Sequence, residues 1–117
     1  MIQQVPNPDP NMALPPPPLF PQGDPRSVVY YVEIFLGIVE SGTNGSVFTF
    51  WIQVVRTELG AIVDEKVRAE ALRLLQEVDK VGHWFSHEAR RPGDALPLIT
   101  SPIRNLMDYL KQAAPPS

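Results

Sequence analysis

From residue 25 to residue 112 the apolar positions recur with the spacing of helices rather than strands. The plainest case starts at Asp64. Val67, Ala71, Leu74, Val78, Val81 and Phe85 follow at alternating steps of four and three, and Leu72 and Leu75 widen the stripe. That period predicts one amphipathic helix, with Asp64 as its N-cap and Leu74 and Val78 in the core. Asp64 with Arg68 and Glu70 with Arg73 are opposite charges at helical spacing. Pro92-Gly93 is a breaker pair, which predicts the helix end near Arg91.

Two earlier segments are harder to read. Val28–Ser41 and Val47–Leu59 are rich in valine, isoleucine and aromatic residues, which favour strands. Their polar positions argue the other way. Glu33, Gly37 and Glu40 fall at i, i+4, i+7, and Thr49, Gln53 and Arg56/Thr57 make a second stripe. In a strand, Glu33 and Glu40 would point to opposite faces. Asp24-Pro25 supplies a cap followed by proline at the first helical position. Gly42 serves as a stop, Ser46 as the next cap and Gly60 as the next stop. The reading is two helices from 26 to 59. The alternative is a long β-hairpin over residues 28–59, closed at Asn44-Gly45 and packed on helices. In either case Glu33 and Arg56 are equidistant from the turn and are expected to pair.

Residues 92–100 read as a loop whose Leu96, Leu98 and Ile99 fold back on the core. Ser101-Pro102 repeats the cap-plus-proline start. Ile103, Leu106, Met107 and Leu110 then predict a short helix to about Gln112. The fold class is therefore mostly α: a small helical bundle or hairpin domain of about four helices over residues 25–112. Residues 113–117 form a short tail.

Residues 1–24 have no such period. Prolines 6, 8, 10, 15–18 and 21 lie within them, and Pro25 follows. Proline fixes φ, removes a donor and pushes its predecessor to extended geometry. The expectation is an extended, polyproline II-like arm. Ile2, Val5, Met12, Leu14, Leu19 and Phe20 stud it with apolar side chains that a pure spacer does not need. Leu14, Pro15, Pro16, Pro17, Pro18, Leu19 and Phe20 together have the shape read by aromatic-lined grooves and are the candidate partner-binding residues.

Composition narrows the function. The chain has 117 residues, 44% of them hydrophobic, and no cysteine. Disulfides, thiolate catalysis and cysteine-ligated metal sites are thereby excluded. The net charge of −3 comes with no basic stripe, so nucleic acid is not expected as the primary partner. Arg90-Arg91 near His87 reads as a charged helix end. The apolar run from Val28 to Val39 is too short to cross a membrane. No signal peptide is read at the N-terminus, and the expected location is cytoplasmic or in a virion.

No catalytic or cofactor motif emerges. His83 and His87 lie at i, i+4 and could share a metal, but no third ligand is marked. Glu33 and Glu40 lie two turns apart and could act as paired carboxylates, but a solvated or salt-bridged stripe is the simpler reading. Residues 42–46 could bind an anion at a helix start, yet a turn accounts for them better. The expectation is a non-enzymatic structural or assembly subunit of a larger complex, in a virion or a multi-subunit machine. Its arm would bind a neighbouring subunit, another protein or itself. A free adaptor whose arm is a ligand for a polyproline-binding domain is the alternative. A helical enzyme or small-ligand or metal binder is the third possibility.

Overall fold

The computed structural model describes residues 13–42, 45–87 and 92–114, with the side chains of 84–96 excepted. Four helices follow in order: α1, Pro25–Ser41; α2, Gly45–Gly60; α3, Glu65–His87; and α4, Pro92–Ala113. There is no strand among the described residues. Each helix packs against two others, α1 on α2 and α4, and α3 on α2 and α4. The arrangement is a closed four-helix bundle. The β-hairpin alternative for residues 28–59 does not hold.

In α1 and α2 packing decides against β propensity. Val28, Val32, Phe35, Leu36 and Val39 line the inner face of α1, while Glu33, Gly37 and Glu40 lie on the exposed one. Val47, Phe48, Trp51, Ile52, Val55 and Leu59 do the same for α2, with Thr49, Gln53, Arg56 and Thr57 outside. Such side chains, buried on a helical face, each contribute about 1.5–3 kcal/mol. That outweighs the few tenths of a kcal/mol by which valine or isoleucine disfavours a helix.

The caps behave as the sequence predicts. The Asp24 carboxylate accepts the Arg26 amide at 2.9 Å, and Pro25 opens α1. Gly42 has φ 100° and returns its N–H to the Val39 carbonyl, closing the helix. The Asp64 carboxylate accepts the amides of Lys66 (2.9 Å) and Val67 (3.1 Å) at the start of α3. Ser46 is the exception: α2 opens at Gly45, two residues before the expected Val47, which puts Ser46 inside the first turn.

Four further expectations are corrected. Residues 92–100 are not a loop. They are the first turns of α4, and Pro92, expected to break a helix, instead stands at its first position, where its missing N–H costs nothing. Pro97 and Pro102 lie inside this helix, each at a cost of about 3 kcal/mol. Fully buried Ile99, Ile103, Leu106 and Leu110 on one face offset it.

The inner face of α3 is centred away from Leu74. Ala71, Leu75 and Val78 are buried, whereas Leu74 is only partly covered. With Gly82 these make an i, i+4, i+7, i+11 row. A methyl group at Gly82 would meet the Phe48 ring of α2 at 2.1 Å, so the missing side chain is what admits that ring.

Glu33 and Arg56 do not pair. The α1–α2 hairpin forms, but its two polar stripes turn toward different neighbours: Glu33 faces Lys111 of α4 at 3.8 Å, and Arg56 faces Asp79 of α3 at 3.4 Å. Asp64 and Arg68 do not pair through side chains either, because the Arg68 guanidinium donates to the Ile62 carbonyl at 2.8 Å and ties down the α2–α3 loop. The pair Glu70–Arg73 does form, through two bonds of 2.7 and 2.8 Å.

Candidate functional site: the proline-rich segment on α1

Of the N-terminal arm, residues 13–24 are described; Ile2, Val5 and Met12 lie outside the described residues. Residues 13–24 form neither helix nor strand, as four consecutive prolines require. They are nonetheless attached to the bundle. The Tyr30 hydroxyl on α1 donates to the Pro16 carbonyl. The Arg26 guanidinium sits 4.3 Å from the centre of the Phe20 ring, within cation–π range. Asp24 fixes that guanidinium, accepting from Nε at 3.1 and 3.2 Å and from Nη2 at 2.7 Å. This bonding holds the Asp24 carboxyl below its ordinary pKa and raises that of Arg26. The Gln22 amide donates to Glu58 of α2 at 3.5 Å.

The last turn of the segment depends on a glycine. Gly23 has φ 99°, a conformation that L side chains rarely adopt. A Cβ there would also stand 3.0 Å from the Ala61 carbonyl and 3.3 Å from the Val63 side chain. The Asp24 amide bonds back to the Pro21 carbonyl at 3.2 Å. The chain is thus turned tightly against the α2–α3 loop just before α1 begins. Next to the docking tyrosine, the Tyr31 phenol has its pKa pushed up, chiefly by burial, then by Glu58 and Tyr30.

The seven candidate partner-binding residues divide by exposure. Pro15 and Pro18, three residues apart, are partly covered; Pro16 and Pro17 are exposed. Leu19 is 100% exposed and Leu14 65%, while Phe20, under Arg26, keeps 39%. Val63 and Leu98 are open as well, at 81% and 55%, and Leu98 thus does not fold back on the core as expected; what sets Leu14 and Leu19 apart is that they flank the same proline run. The proline run and its apolar flanks mark the seven residues in the sequence, but not Tyr30, Arg26 and Gly23, which hold them. A Tyr on the flank of a helix carries no sequence signal for a contact fourteen residues back.

Glu33 and Glu40 each face a cation of α4, Lys111 and Arg104 respectively, as a salt-bridged stripe. His83 is exposed, and the side chains of His87, Arg90 and Arg91 lie outside the described residues. Among the described residues no group of three or more histidine or acidic side chains is placed to hold a metal ion. No described helix is long and apolar enough to cross a membrane. Residues 43 and 44 of the turn considered for anion binding are outside the described residues. Compared with known proteins, the chain matches no family model, no curated protein and no solved structure.

Proposed function

We propose that this protein is a non-enzymatic assembly subunit that engages a neighbouring protein through the segment Leu14–Phe20. One observation carries the reading: Leu14 and Leu19 stand open to solvent on a segment whose backbone is already attached to the bundle. A binding segment held in place before it meets its partner loses less conformational freedom on association. Proline in the run limits the loss further, because its φ is fixed in the free chain as well. A leucine buried at an interface contributes on the order of 1–2 kcal/mol.

The test is the native mass of the full chain in the cell that makes it, compared with a Leu14→Ser/Leu19→Ser variant. This variant keeps every proline and the Phe20–Arg26 contact. The expected result is a high-mass species for the unsubstituted chain and release of the variant. Losing two such anchors weakens binding roughly 30- to 700-fold. A chain of monomer mass throughout would refute the assembly reading and favour the free adaptor. A variant that assembles normally would move the interface to the helical surfaces.

A further inference from the structure

The segment Leu14–Phe20 is two-sided. Toward α1 it turns the Pro16 carbonyl and the Phe20 ring. Toward solvent it turns Leu14 and Leu19. Surfaces that read a proline run stack rings on the prolines and take the carbonyls between them with hydroxyl or N–H donors, and α1 supplies the second kind of contact here. Tyr30 already supplies such a donor to Pro16. Asp24, bonded three times to the Arg26 guanidinium, holds the cation above Phe20. Gly23, at φ 99°, turns the chain against the α2–α3 loop just before α1 begins.

We propose that Tyr30 and Arg26 form an intramolecular latch. It engages the Pro16 carbonyl and the Phe20 ring and leaves Leu14 and Leu19 displayed. The latch rests on the assembly reading only for its consequence. A partner with apolar pockets for leucine side chains binds the closed form directly. A groove that reads prolines and their carbonyls must first open it. The tether from Phe20 to Arg26 is six residues along the chain, so closure is intramolecular and insensitive to protein concentration.

The experiment uses the full chain, uniformly labelled with 15N, and two substitutions. Tyr30→Phe removes the donor and keeps the ring; Arg26→Lys keeps the charge and removes the planar fork that stacks and bonds to Asp24. Backbone order parameters of Leu14, Leu19 and Phe20 are measured in each. In the unsubstituted chain they are expected near the rigid-backbone value of about 0.85, falling below about 0.6 in the Tyr30→Phe/Arg26→Lys double variant, with the helical circular dichroism unchanged. In parallel, a binding domain selected against the synthetic peptide of residues 12–22, and reading its prolines, is titrated with the peptide and with each full-length chain. Loss of one hydrogen bond of ordinary strength corresponds to about fivefold in the opening equilibrium. The unsubstituted chain should therefore bind at least about fivefold more weakly than the peptide, and Tyr30→Phe should recover most of that difference. Order parameters below about 0.6 in the unsubstituted chain, or equal affinity for chain and peptide, would overturn the latch. Neither result bears on the Leu14→Ser/Leu19→Ser comparison, so the two proposals fail separately.

Discussion

Replacing Gly82 with alanine sets two effects of known sign against each other. Gly82 lies inside α3, where alanine is favoured over glycine by about 1 kcal/mol on helix propensity alone. Against that, the added methyl would lie 2.1 Å from both Cε1 and Cζ of Phe48 and 3.0 Å from its Cδ1. Carbon atoms in contact sit about 3.5–4.0 Å apart, so roughly 1.5 Å must be opened. The ring has little freedom to give it. Phe48 is buried and packs edge-on against Phe35, centroids 5.3 Å apart. Overpacking of this kind costs about 1–3 kcal/mol, and a gap of this size falls toward the upper end. The expected net effect is a loss of about 1–2 kcal/mol. Urea unfolding followed by circular dichroism and by the fluorescence of buried Trp51 measures it. Gly37→Ala is the matched control. Gly37 is an exposed α1 residue, and a methyl group added there would meet nothing within 4 Å, so only propensity acts and stability should rise by up to about 1 kcal/mol. In a Phe48→Leu background, which makes room, Gly82→Ala should also become neutral or stabilising. A gain of about 1 kcal/mol for Gly82→Ala in the unsubstituted chain would refute the close approach of α2 and α3.

The shifted face of α3 predicts that Leu75→Ala costs about 2–5 kcal/mol by cavity formation and Leu74→Ala clearly less, read from the same unfolding curves. Asp64→Ala removes the acceptor of two amides and should cost about 1 kcal/mol, with Asp64→Asn recovering most of it in thermal melts. Asp24 has its pKa lowered by its bonds to Arg26, so it favours the folded state above the ordinary carboxylate range of about 4. That contribution disappears as pH falls through the lowered folded-state value. A 13C titration should show the Asp24 carboxyl titrating below the free-aspartate range, and moving back toward it in Arg26→Gln, which keeps the bond from the residue 26 amide. Arg104→Ala breaks an exposed pair with Glu40 and should change stability by no more than about 1 kcal/mol, less in high salt.

Four helices, the approximate limits of α1 and α2, the start of α3 and the N-caps Asp24 and Asp64 are legible in the sequence, because a polar stripe at i, i+4, i+7 is a local signal. Glu33, Gly37 and Glu40 place α1 on edge to solvent without reference to any other part of the chain. Asp24 and Asp64 cap helices with atoms two or three residues away. Three things were decided only in the tertiary structure. Residues 92–100 are helical because Ile99 and the residues after it find a buried face, which outweighs prolines that read locally as breaks. The centre of the α3 face moved toward Gly82, since a count of apolar side chains gives no weight to a residue that contributes space instead. The partners of Glu33, Arg56 and Arg68 were set by which helices became neighbours, and a long charged side chain reaches any neighbour within several ångströms. The proline-rich segment divides the same way. Its prolines exclude helix and strand from the sequence alone, while Tyr30, Arg26 and Gly23 determine which edge it shows, because a surface contact between residues fourteen apart leaves no period to read.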